Sequence, residues 1–210
     1  MTVGWRGGFM TLPRWYHVSA LDSSPRRALR CAPLHGRSRR PTMYFTTIHQ
    51  MTKMLDNLGR CLEKGAAHAK ARSFDPAVLL NARLAPDQFH LTRQVQAACD
   101  AAKFAAARLA GRDPPRHEDR EQTVDELRAR VADTAAYLRT FTADDFASAG
   151  DRVVPLGWLP GKGLLGRDYL TELAAPNFYF HVTTAYSILR HNGVDLGKAD
   201  FIGSLALRDV

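Results

Sequence analysis

Tyr44, Ile48, Met51, Leu55, Leu58 and Leu62 recur at alternating spacings of four and three residues. On a helix this spacing draws a single apolar seam, so a first helix is predicted from near Met43. The pattern frays in KGAAHAKAR. Asp75-Pro76 then restarts a short helix, with Asp as N-cap and Pro in the first turn. Leu91, Val95, Ala98, Ala102, Ala105 and Leu109 make a second long seam, in a helix predicted from about Pro86 to Ala110 and stopped by Gly111. Alanines also cover its other faces, which permits close packing on more than one side. Thr123-Val124-Asp125-Glu126 has the form of a capping box. It opens a third seamed helix carrying Val124, Leu127, Val131, Thr134, Leu138 and Phe141. The last helix is predicted from about Arg167 to Asn192, where Gly193 ends it. Pro176, inside it, is expected to kink it by removing one hydrogen bond and crowding the preceding turn.

Residues 142–166 make a long connection for a bundle and are expected to hold something small, a hairpin built on RVVPLGW and KGLLG. Asp144 and Asp145 read as a capped short helix or turn. RDPPRHEDREQ, with Glu118, Asp119 and Glu121 mixed among Arg116 and Arg120, reads as a solvated loop. Four seamed helices with one long connection before the last predict an all-α four-helix bundle.

The net charge of +8 points first to a nucleic acid or an anionic surface. Its placement changes that picture. Residues 1–42 hold eight arginines and one acid, a net +7, which leaves +1 for residues 43–210. The basicity belongs to an N-terminal arm rich in Arg, Ser, Pro and Gly, with the composition of a disordered segment. Three readings of that arm stay open: a start called too early, with Met43 the true one; a disordered tail; or a transit peptide or phosphate-binding arm. Nucleic-acid binding is expected only through this arm. Cys31, Cys61 and Cys99 are odd in number and form no CxxC, which fits a reducing, cytoplasmic setting and excludes a cysteine zinc site. Cys61 and Cys99 read as small buried hydrophobes. No apolar run is long enough to span a bilayer.

Candidate chemistry concentrates on the last helix. Asn177, His181, Thr184, Ile188 and His191 share one stripe beside the apolar face of Phe178, Val182, Ala185 and Leu189. His181 and His191 stand about 15 Å apart at 1.5 Å per residue, too far to bind one metal together. His191, in the last turn, is placed to meet the helix dipole. Asn177 and His181 are one turn apart, but His-x-x-x-His is the strong metal pattern and asparagine is a poor ligand for a transition metal. His49, His68 and His90 are open as ligands from other helices. GWLPGKGLLG lacks the spacing of a phosphate loop and reads as a glycine-rich turn.

DPAVLLNARLAPDQFHLTRQVQAACDAAKFAAARLAG and PNFYFHVTTAYSILRHNGVDLGKADFIG resemble the uncharacterised domain-of-unknown-function family numbered nineteen ninety-three, over about residues 43–204. That family is similar to the DinB/YfiT-like bundles. Several of these bind a divalent metal through three histidines, and some transfer small thiols. The resemblance implies a DinB-like four-helix bundle over residues 43–204; with the arm over residues 1–42 set by its charge, residues 205–210 are left as a tail. ILRHNG resembles the DinB-type LRxNG ending. Aligned on it, His181 falls on the second histidine of the last-helix HxxxH and Asn177 on the first. The remaining histidine belongs on the second helix, where this chain offers Gln94, Gln96 and Asp100. Gln94 flanks the seam; Gln96 and Asp100 point away from it.

The expected protein is therefore a DinB-like bundle with a degenerate metal site. It binds a small ligand near His181, Asn177, Thr184 and Gln94 and self-associates as a homodimer through aromatic or alanine-rich faces. The alternative is an enzyme, a small-thiol transferase or hydrolase, with His181 holding a divalent Zn, Ni or Fe.

Overall fold

The structure is a computed structural model and describes residues 42–209. The N-terminal arm, with its competing readings, lies outside the described residues. Seven helices follow one another: α1 (Met43–Ala71), α2 (Ala77–Asn81), α3 (Leu91–Ala110), α4 (Val124–Arg139), α5 (Gly166–Asp168), α6 (Ala175–His191) and α7 (Lys198–Ile202). The four long ones, α1, α3, α4 and α6, form the bundle. In cross-section the order is α1, α4, α3, α6, closing back on α1. No helix among the described residues is long and apolar enough to cross a membrane.

Local sequence explains the boundaries. Thr42 caps α1 by accepting from the Phe45 amide at 3.4 Å. The Asp75 carboxylate accepts from the Ala77 amide at 2.8 Å and opens α2. The Thr123 capping box forms in both directions at the start of α4. Gly111 ends α3 in the left-handed conformation, φ 70°. Any side chain there would also run into the Arg152 guanidinium, whose Nε donates to the Leu109 carbonyl. α3 begins at Leu91 rather than near Pro86, because the preceding segment is held by its own turn and by the Leu91 amide bonding back to Ala82.

The expected hairpin forms, and the chain before Pro176 is irregular. The long connection contains an antiparallel hairpin, β1 (Val153–Pro155) with β2 (Gly163–Leu165), in which Val154 faces Leu164 and is buried. Pro176 stands in the first turn of α6, and residues Tyr169–Ala174 just before it form a π-helical turn. Proline lacks the amide hydrogen and crowds the turn behind it, so the chain widens to longer hydrogen bonds without breaking.

The largest departure is α3. Fifteen of its twenty residues are buried. The alanines at 97, 98, 101, 102, 105, 106 and 107 are all covered within the chain. Small side chains let α1, α4 and α6 approach it closely. The fourth side is closed by the stretch predicted to be a solvated loop, which lies along α3 and α4 instead. Arg130 of α4, with its side chain 2 % exposed, donates to Asp119 at 2.6 Å, Glu121 at 3.0 Å and Asp100 at 2.9 Å. Gln96 donates to Glu121 at 2.8 Å. Gln96 and Asp100 do point away from the seam, but onto this second buried surface. Burial lifts Asp119 and Glu121, yet the hydrogen bonds and positive charge around them outweigh it and hold both below the usual carboxylate range. Arg112, Asp113, Arg116, Glu118 and Arg120 keep to the expected exterior, Glu118 and Arg120 as an exposed pair.

Removing the buried Arg130 takes one cation from three acids, which keep only their second partners, Arg93, Lys103 and Gln96. Arg130→Ala is expected to cost about 3 kcal/mol in urea denaturation. Arg139→Ala, which breaks the exposed pair with Asp56, is expected to cost less than about 1 kcal/mol.

Candidate functional site

His181 lies on the face of α6 turned toward α3 and is 7 % exposed. Its Nδ1 is 2.7 Å from the Gln94 side-chain oxygen. The Gln94 amide nitrogen donates to the Phe89 carbonyl at 3.2 Å, which orients the amide with its oxygen toward the ring. An oxygen can only accept, so the proton sits on Nδ1 and the Nε2 lone pair is bare. Among the described residues Nε2 makes no hydrogen bond. Burial, aided by the nearby Arg93 charge, pushes the imidazole down to about 4, so it is neutral at pH 7.

Two aromatic rings frame the imidazole. Phe89 stacks along it at 6.4 Å between centroids, and Phe180 meets it edge-on at 5.3 Å. Both rings are partly open to solvent, 42 % and 45 % exposed. Arg93 lies over the outer face of Phe89, 5.7 Å from its centroid. Nothing in the sequence reading pointed to Phe89 or Arg93. Phe89 precedes the regular part of α3, so no helical spacing ties it to either neighbour.

The predicted residues divide. Gln94 and His181 are brought together. Thr184 is buried one turn from His181, but its hydroxyl donates into its own helix, to the Phe180 carbonyl at 2.7 Å. Asn177 is one turn away on the other side and half-buried, with no hydrogen bond to His181 among the described residues. The other histidines go elsewhere. His90 caps the Leu80 carbonyl, His68 packs on Phe74, His49 is on the surface beside Phe45, and His191 is exposed in the last turn of α6. Cys61 and Cys99 are buried, with burial raising their thiols to about 11 and about 12, which makes them inert as nucleophiles.

The family model described as domain of unknown function (DUF1993) matches residues 43–202. The chain belongs to that family. A crystal structure of a DinB family member protein from Shewanella denitrificans is similar at 46 % identity. The match covers 80 % of this chain and 96 % of that one, with a TM-score of 0.77. No curated protein matches significantly.

The DUF1993 bundle thus has the DinB architecture that the sequence resemblance implied. A three-ligand centre at the expected place does not fit its residues. His181 has given Nδ1 to Gln94, the Gln94 oxygen is occupied by that bond, and Asn177 supplies only a weak donor. Among the described residues no three His, Cys, Asp or Glu side chains gather into a metal-sized group.

Gln94→Glu keeps the acceptor and adds a negative charge. The His181 midpoint, followed by NMR of the ring, is expected to rise by about 1–3 units. In the wild type the folded ring resists protonation. Its contribution to stability is therefore full above about 6.5, its ordinary midpoint, and is lost as the pH falls toward about 4.

Proposed function

We propose that this protein is a small-ligand-binding module in which an imidazole–amide hydrogen bond stands where the superfamily places a metal. The single observation that carries this reading is the 2.7 Å contact between His181 Nδ1 and the Gln94 oxygen. It fixes the ring's tautomer and presents the bare, uncharged Nε2 between Phe89 and Phe180. Such a group accepts one hydrogen bond from a ligand whose remaining surface is apolar or aromatic. Asn177 and Thr184 flank the ring along α6 and belong to the walls of this site.

A second reading keeps His181 as a metal ligand in a thiol transferase or hydrolase. The observation that favours it is the same neutral Nε2, a lone pair ready for Zn, Ni or Fe at pH 7. For self-association as a homodimer, the exposure of Phe89 and Phe180 supports an aromatic face over an alanine one, since the alanines of α3 are buried within the chain. The buried free thiols Cys61 and Cys99 support a reducing, cytoplasmic setting.

The test is metal analysis by mass spectrometry of the untagged chain and of His181→Ala, each dialysed against Zn, Ni and Fe(II). The expected result is no stoichiometric metal in either. About one ion per chain in the wild type, lost in the variant, would move the assignment to the second reading. In parallel, an aromatic fragment library read on the His181 Nε2 resonance is expected to yield ligands whose binding the variant abolishes. Light scattering of the wild type and Phe180→Ser tests the dimer, which the substitution is expected to weaken at least tenfold.

A further inference from the structure

The stretch from Arg112 to Gln122 is fastened in an unusual way. Residues 113–121 make no backbone–backbone hydrogen bond among the described residues. What holds them is three side chains: Asp119 and Glu121 on Arg130, and His117 on Lys103. Asp119 is in the left-handed region, φ 55°, which a residue with a side chain adopts when its surroundings hold it there. Two arginines do so, Arg130 at 2.6 Å and Arg93 at 2.7 Å.

His117 is the unusual member. The Lys103 ammonium, its side chain 3 % exposed, sits 3.0 Å from His117 Nδ1 and 3.0 Å from Asp100. An ammonium can only donate, so His117 must accept at Nδ1 through a bare lone pair. The attachment therefore requires a neutral ring. An imidazolium would have no acceptor to offer and would place two cations about 3 Å apart. The groups facing it from the packed elements are Lys103 and Asp100 of α3, Arg130 of α4, and Glu121 of the stretch itself. Asp100 and Glu121 are already engaged by Lys103 and Arg130, so neither is free to compensate.

We propose that residues 112–122 form an acid-released strap with His117 as its sensor. Closed, the strap keeps His117 neutral with a single ring proton; open in water, the same ring takes up a second proton near the ordinary pH of about 6.5. The open form therefore takes up the proton, and the equilibrium moves toward it as the pH falls below that value. Burial and the two cations both lower His117, in agreement with this direction. Asp119 and Glu121 charge-neutralise only near pH 4 in the open form. The interval between about pH 7 and about pH 5.5 is thus left to the histidine.

The test is backbone relaxation by NMR on the full chain across that interval, with the His117 ring titrated in the same samples. Order parameters for residues 113–121 are expected to fall from about 0.85 to below about 0.6, while those of α3 and α4 hold. The midpoint should coincide with that of the His117 ring. In His117→Asn, which does not titrate, the strap's order is expected to be independent of pH, whatever its starting value. A wild-type strap that stays rigid at pH 5.5 overturns the proposal. So does loosening that survives unchanged in His117→Asn.

Discussion

The burial of α3 on all but one partly open stripe, Arg93, Asp100, Phe104 and Arg108, is the constraint on which the rest of this structure depends. A helix of alanines is thin enough to let three other helices close around it, and that closeness supplies much of the core. It also removes most of the helix from water. Each polar residue on α3 must then find its partner inside the protein or lose the free energy of its hydration. Gln94 finds His181, Gln96 finds Glu121, and Lys103 finds Asp100 and His117. The candidate site and the strap are two answers to the same demand, on different faces of one helix.

Arg93 joins them. On one side its guanidinium pairs with Asp119 of the strap and donates to Gln96; on the other it covers the Phe89 ring that stacks on His181. One charge, Arg93, and one ring, Phe89, therefore lie in series between the strap and the imidazole. The charge of Arg93 also contributes to keeping His181 unprotonated.

A glutamine on α3 facing the His181 ring has a clear physical consequence. An amide cannot replace an imidazole as a strong metal donor, but it can accept the ring's proton. The pair Gln94–His181 links α3 to α6 and leaves the other ring nitrogen without a hydrogen bond among the described residues. The fold can thus keep a polar centre at this depth by satisfying it internally, with the remaining lone pair as its only chemical offering.

Much of the architecture was legible in the residues alone. Seams at spacings of four and three, the Thr123 capping box, Gly111 and Gly193 depend on neighbours within a turn, and local spacing records them faithfully. The resemblance carried the arrangement of helices and the pairing of His181 with the second helix. Three things needed the tertiary structure. The strap reads as a polar loop because its partners, Arg130 and Lys103, are distant in sequence; an arginine three residues after Leu127, on the apolar side of α4, was the one local sign. The role of Phe89 depends on where α3 begins, which a long-range bond to Ala82 decides. The state of the His181 ring depends on which atom of Gln94 faces it, and that is set by the carbonyl of Phe89. Periodicity along the chain determines which face of a helix is apolar. Only the packing of one helix on another decides which polar group each buried polar group must meet.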